Sequence, residues 1–190
     1  MEWKSLGHLV ESAAERFGEK PLFIFEDKPL SFAEVDRLTN KTANALRSVG
    51  VAKGERVAVM LPNGVDFPIV WFALAKLGAV IVPVNINYHD HDLTYTLDDS
   101  QAGFFVVHEN YLEQWERVRA HLPSVKETLL VTESGNGSDW MRLVDESSDS
   151  FESSNVTGED LVNIQYTSGT TGFPKGCMLQ QKYWLGIGQI

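Results

Sequence analysis

Short, continuously apolar runs recur along the chain: Arg56 to Leu61 (RVAVML), Ala79 to Val84 (AVIVPV), Gly103 to Val107 (GFFVV) and Thr128 to Val131 (TLLV). A strand without a polar face has no side to turn to water, so each must be covered above and below. The intervening stretches, about Val65 to Leu77, Asp90 to Asp99 and Tyr111 to His121, have helical length and patterning. Strands alternating with helices predict right-handed crossovers and an α/β fold: a mostly parallel sheet flanked by helices.

Local signals set the boundaries. Ser31-Phe-Ala-Glu34 fits a capping box, and Phe32, Val35, Leu38, Leu46 and Val49 come after it at helical spacing up to Gly50, a suitable left-handed stop. Gly78 ends the next helix in the same way, Pro62-Asn63-Gly64 stops the strand before it, and Pro83 removes a ladder donor where the AVIVPV strand should close. The stretch Leu22 to Leu30 reads as a small hairpin turning at Asp27-Lys28 and packing on the sheet's margin. The amphipathic opening, MEWKSLGHLVESAAERF, reads as a helix rather than a signal segment, and Lys182 to Ile190 also looks helical.

Composition narrows the classes. The formal charge of -10 across 190 residues argues against nucleic acid as a partner. The single cysteine, Cys177, fits a reducing, cytoplasmic setting, and the apolar stretch Val70 to Val84, broken by Lys76, falls short of the roughly 20 residues of a membrane span. Acidity is concentrated late: Glu133, Asp139, Asp145, Glu146, Asp149, Glu152, Glu159 and Asp160 are set against one base, Arg142. With its serines and glycines, this segment reads as a surface connection. The expected organisation is a first α/β subdomain over 1–132, the connection over 133–159, and a strand, loop and start of a further subdomain over 160–190.

The strand Leu161 to Tyr166 runs into the densest chemical signal in the chain, Tyr166 to Gly176 (YTSGTTGFPKG). Gly169 and Gly172 permit backbone angles that let amides converge on an anion. Thr167, Ser168, Thr170 and Thr171 can donate to phosphate oxygens, and Lys175 adds a mobile charge. The loop is not of Walker A type, since Pro174 and Gly176 stand where that motif needs glycine and a hydroxyl residue.

At these residues the chain resembles the adenylate-forming superfamily: AMP-forming acyl-CoA synthetases, luciferases and peptide-synthetase adenylation domains. Leu30-Ser-Phe-Ala-Glu-Val35 and Ala73 to Asn85 (ALAKLGAVIVPVN) resemble two further motifs of that family in the expected order. The resemblance implies part of a large amino-terminal domain and a reaction in which a carboxylate attacks the α-phosphate of ATP, after which a thiol, usually of coenzyme A, displaces AMP. It carries Thr167, Ser168, Gly169, Thr170, Thr171, Gly172 and Lys175 over as phosphate contacts. The complete enzyme would use ATP, Mg²⁺ and coenzyme A, whereas the adenine site, Mg²⁺ ligand, acyl pocket and carboxy-terminal lysine are expected outside this chain, leaving it inactive alone. Gln180-Gln181 departs from a Thr-His pair common in the family. Rival readings are adenylation for a carrier protein, against which the double threonine of Gly169 to Gly172 leans by resemblance, and a non-catalytic binding module.

Other candidates have plainer readings. His89-Asp-His-Asp92 could suggest a metal, but Asp90 fits better as a helix cap. Cys177 reads as a structural thiol in a strand, Asp98-Asp99 as solvated charges, and Asn155-Val-Thr157 as an unmodified sequon. Trp71, Phe72, Leu74, Tyr111 and Trp115 read as core, and Gly186-Ile-Gly188 as at most half of a dinucleotide fingerprint.

Overall fold

The computed structural model describes residues 3–133, 138–153, 155–167 and 174–187. In chain order these form α1 (Leu6–Phe17), β1 (Pro21–Phe25), β2 (Lys28–Ser31), α2 (Phe32–Ser48), β3 (Arg56–Met60), α3 (Asp66–Leu77), β4 (Val80–Pro83), α4 (Asp90–Asp99) and β5 (Phe104–His108). The chain continues with α5 (Leu112–Val118), flanked by single 3₁₀ turns, β6 (Glu127–Val131), α6 (Asp139–Glu146), β7 (Leu161–Thr167), β8 (Lys175–Gln180) and α7 (Gln181–Ile187).

The expected sheet is present, in the order β6-β5-β3-β4-β7-β8, parallel throughout except for β8, which returns antiparallel to β7. Side chains alternate across each strand. Val57, Val59, Ile81, Phe104, Val106, Leu129 and Val131 therefore meet α2, α3 and α6 on one face. Ala58, Met60, Val80, Val82, Phe105 and Val107 meet α4 and α5 on the other. This two-sided burial explains why the strands read as unbroken apolar runs.

The boundary signals act as expected in α2 and α3. The Ser31 hydroxyl accepts from the Glu34 amide while the Glu34 carboxylate accepts from the Ser31 amide, and Gly78 adopts a left-handed φ of 71° at the end of α3. Three details differ from the sequence-based expectation. The hairpin turns one residue earlier, at Glu26-Asp27, whose positive φ angles form a two-residue turn of primed type. It packs on α2 as a separate two-stranded sheet rather than on the main sheet's margin. Asp90 does not cap α4: His89 holds that position, and the Asp90 carboxylate instead accepts from Arg117 at 3.0 Å, tying α4 to α5.

The acidic connection is more structured than its composition implied. Ser138 caps α6, and Trp140 from that helix is buried against α2 and the sheet. Side chains of α2 hold the backbone beyond it: Asn40 donates to the Asp149 carbonyl at 2.9 Å, and Asn44 to those of Ser148 and Ser150 at 2.8 and 2.9 Å. Arg47 lies over the Phe151 ring.

The break in the apolar stretch of α3, Lys76, is wholly buried. Its ammonium reaches Asn40 Oδ1 at 2.6 Å, Asp36 Oδ1 at 2.7 Å and Glu11 Oε1 at 3.2 Å, so one cation joins α1, α2 and α3. Removing it would leave two partly buried carboxylates facing each other without compensation. Lys76→Ala is expected to lower the unfolding free energy by about 3 kcal/mol, read from urea denaturation. Pairing Lys76→Met with Asp36→Leu should recover at least half of that loss, and an unchanged stability in the single variant would contradict the assignment.

Candidate functional site

The glycine- and hydroxyl-rich segment sits at the carboxyl edge of the sheet. β7 runs parallel to β4, so Thr167 ends β7 on the side where the other parallel strands also end, the edge at which open α/β sheets bind ligands. β8 returns in register, with Thr167 opposite Lys175, Tyr166 opposite Gly176 and Gln165 opposite Cys177. Two of the expected phosphate contacts, Thr167 and Lys175, are thus brought together as a cross-strand pair, both exposed. Ser168, Gly169, Thr170, Thr171 and Gly172 lie outside the described residues. The segment leads into the strand β8, not into the helix that a Walker A loop feeds, so α7 is not positioned to lend its dipole to an anion there.

Beneath this pair is a brace that no sequence motif announced. The Tyr166 hydroxyl donates to Asp99 Oδ2 at 2.5 Å, and its ring meets Tyr95 edge-on with centroids 6.4 Å apart. Asp99, expected to be a solvated charge, therefore anchors the last buried residue before the loop. Burial, together with the Asp99 carboxylate, pushes the Tyr166 phenol well above its ordinary range. Across the ladder, a Cβ on Gly176 would fall 2.9 Å from Ile164 Cγ2 and 3.2 Å from the Tyr166 ring. The glycine of Pro-Lys-Gly is thus required because β8 crosses directly over Tyr166.

The remaining candidates divide between core and surface. Leu74 and Trp115 are core, Trp71 and Tyr111 are half-buried but pack against the core clusters, and Phe72 is half-buried. Cys177 lies in β8 as expected of a strand residue, but it is exposed rather than a buried structural thiol, as are its strand neighbours Gly176 and Met178. Gly186 falls within α7, directly after β8, and Gly188 lies outside the described residues. Among the described residues, no group of three or more His, Cys, Asp or Glu side chains could hold a metal ion, and no helix is long and apolar enough to cross a membrane.

Gln181, noted only as a departure from a familiar pattern, is fully buried. Its Oε1 accepts from the Leu6 amide at 2.8 Å and its Nε2 donates to the Ala75 carbonyl at 3.1 Å, fastening α7 to α1 and α3. Asp160, just before β7, binds Lys53 at 2.9 Å and the Thr157 amide at 2.7 Å. Burial raises its carboxyl, but the bonds from Lys53 and Thr157 outweigh that and hold it below the usual carboxylate range.

Residues 10–187 match a family described as AMP-binding enzyme. A medium/long-chain-fatty-acid–CoA/3-oxocholest-4-en-26-oate–CoA ligase of Mycobacterium marinum is 30% identical over 92% of this chain and 34% of its own length. Tyrocidine synthase 1 of Brevibacillus parabrevis is 32% identical over 94% of this chain and 15% of its own. Among solved structures, a long-chain-fatty-acid-CoA ligase from Archaeoglobus fulgidus superposes with a TM-score of 0.86 at 35% identity, covering 95% of this chain and 37% of that one. The chain therefore spans about a third of the length of the ligases it matches.

Two outcomes test the brace. Gly176→Ala should cost about 1–3 kcal/mol through overpacking against Ile164 and Tyr166, measured by thermal or urea unfolding. Because the folded phenol of Tyr166 titrates above its unfolded value, its contribution is complete below pH of about 10 and is lost as pH rises beyond that through the folded value. Stability should thus fall on the alkaline side, and Tyr166→Phe should flatten that fall. An identical alkaline profile in the two proteins would refute the brace.

Proposed function

Since the chain belongs to the AMP-binding enzyme family, we propose that it is the amino-terminal part of an ATP-dependent acid–thiol ligase, acting in the cytoplasm, that makes an acyl adenylate and then an acyl-CoA thioester. In the first step a carboxylate oxygen attacks the α-phosphorus of ATP. The new O–P bond replaces the bond to the β-phosphate, and pyrophosphate leaves. In the second, the thiol of coenzyme A attacks the acyl carbon, loses its proton, and AMP departs with the bonding electrons.

The residues of this chain serve the first step. Thr167 and Lys175 stand as a pair at the carboxyl edge of the sheet, and this is the observation that carries the reading. Between them the sequence supplies Ser168, Gly169, Thr170, Thr171 and Gly172, whose hydroxyls and amides suit the oxygens of the β- and γ-phosphates. Their role is to orient the leaving pyrophosphate and to neutralise the charge that develops on it. Magnesium would accompany the nucleotide. The chemistry assigned to these residues runs through hydroxyl, amide and ammonium groups alone.

The double threonine favours coenzyme A as acceptor, while likeness to a tyrocidine synthase keeps adenylation for a carrier protein as the second reading. Acid activation also needs the adenine site, the acyl pocket and the carboxy-terminal lysine that the family supplies elsewhere. The 190-residue protein is accordingly expected to hold phosphate without releasing pyrophosphate.

Binding measured by calorimetry should separate the loop's contribution. Lys175→Ala is expected to weaken ATP or inorganic pyrophosphate at least tenfold, because a lost charge-assisted hydrogen bond is worth roughly 1.5–3 kcal/mol. Equal ATP affinity in the variant would remove Lys175 from the phosphate site. Acid-dependent pyrophosphate release by this chain alone would overturn its assignment as an incomplete catalyst.

A further inference from the structure

We propose that the cavity bounded by α1, β1, the first turn of α2 and α3 is a binding site for an amphipathic organic anion, a carboxylate on a compact apolar body. Its volume of about 350 Å³ lies at the small end of the roughly 300–1,000 Å³ over which small-molecule pockets range. Four aromatic side chains from separate parts of the chain line it: Trp3 ahead of α1, Phe17 at the end of α1, Phe32 opening α2, and Phe72 on α3. Among the described residues, every other lining side chain except Ser12 and Arg16 is also apolar, and no carboxylate is among them. Water inside such walls makes few hydrogen bonds and is readily displaced by an apolar body.

The way α1 is fastened holds this cavity open. At its leading end, a Cβ on Gly7 would fall 2.9 Å from Lys76 Cγ, so the helix lies against α3 there, and the Leu6 amide is bound by Gln181. At its trailing end, the Ala33 amide donates to the Gly18 carbonyl and the Phe32 amide to the Lys20 carbonyl, each at 3.0 Å, which ties it to α2. With both ends fixed, α1 spans the gap at a set distance, and the small side chains of Ser12 and Ala13 leave it unfilled. Leu9, Ala13, Arg16 and Phe17 share this side of α1 because they recur at helical spacing. A pocket formed before its ligand arrives spares the cost of ordering side chains on binding.

Charge selects the other half of the ligand. In a chain of net charge -10, the one charged residue lining the cavity among those described is a cation, Arg16, and it is exposed, which puts its guanidinium at the mouth. Its Cζ lies 5.2 Å from the centre of the Phe17 ring, and Lys20 Nζ lies 5.7 Å from the same centre. Two cations thus share one aromatic wall, and among the described residues neither has a carboxylate partner or a side-chain hydrogen bond. Like charges placed so close are unfavourable until an anion joins them. A carboxylate at the mouth would meet both while its apolar body fills the space behind Phe17. A neutral ligand would gain only from the apolar walls, and a cationic one would be repelled.

Titrating 2-naphthoate into protein with carbon-labelled alanine methyl groups provides the test, with 2-naphthamide as its neutral counterpart and 2-naphthylmethylammonium as its cationic one. Ala13→Ser identifies the Ala13 signal. Naphthoate should shift that signal saturably and bind about fivefold more tightly than naphthamide, the scale of an exposed ion pair, and roughly half-molar salt should close the gap. The ammonium should bind more weakly than either. Arg16→Gln combined with Lys20→Gln, both at exposed positions, should erase the preference for naphthoate and leave naphthamide unchanged. Ala13→Leu, which fills the space, should weaken both ligands at least tenfold. An unmoved Ala13 signal, naphthamide binding as tightly as naphthoate, or an anion preference that survives the double glutamine variant would each overturn the proposal. So would an Ala13 signal that moves with protein concentration alone, since a second copy of the chain would then be the occupant. Neither Thr167 nor Lys175 lines the cavity, so none of these outcomes bears on nucleotide binding.

Discussion

One ammonium group joins the helical layer on which the sheet rests. Lys76 is wholly buried at the meeting point of α1, α2 and α3, and its contacts with Asn40, Asp36 and Glu11 fix how these helices cross. Apolar packing alone would leave them free to slide, since one leucine can replace another at small cost. A buried cation has far fewer acceptable positions, because each direction that loses a partner costs several kcal/mol. Asn40 also holds the connection around Asp149, and Ala75, beside the lysine, accepts from Gln181. The layer that backs β4 and β7 is thus positioned by polar geometry as well as by hydrophobic volume.

From that support the chain builds outward to its chemistry. β7 is held against β4, Tyr166 is moored to Asp99 on the opposite face, and β8 lies close enough to need glycine at position 176. These contacts fix both ends of the segment expected to hold phosphate. A site that must stabilise a departing pyrophosphate gains most from donors already in place, since reorganisation during the reaction would cost part of the stabilisation.

The fold was largely legible in the sequence because its signals are local. RVAVML, GFFVV and TLLV declared two-sided burial, Ser31 and Glu34 declared a helix start, and Gly78 declared its end. What escaped was non-local. Lys76 looked like an interruption because its partners are brought to it by folding, and Asp99, exposed as expected, gave no sign of its bond from Tyr166, which lies far along the chain. The helix α6 was hidden in an acidic segment whose order comes from the side chains of Asn40 and Asn44. Thr167 and Lys175 could be picked out by residue type, but their pairing needed the register of β8, which no periodicity encodes.

The bond from the Leu6 amide to the Gln181 side chain spans 175 positions of sequence. Contacts of that separation form late, because closing so long a loop is entropically unfavourable until other structure has shortened it. During synthesis α1 emerges before α7, so its leading amide stays without this acceptor until α7 has been made. Early helices can gather around Lys76, but the bond that ties α1 to α7 waits until the chain has been extended by 175 more residues.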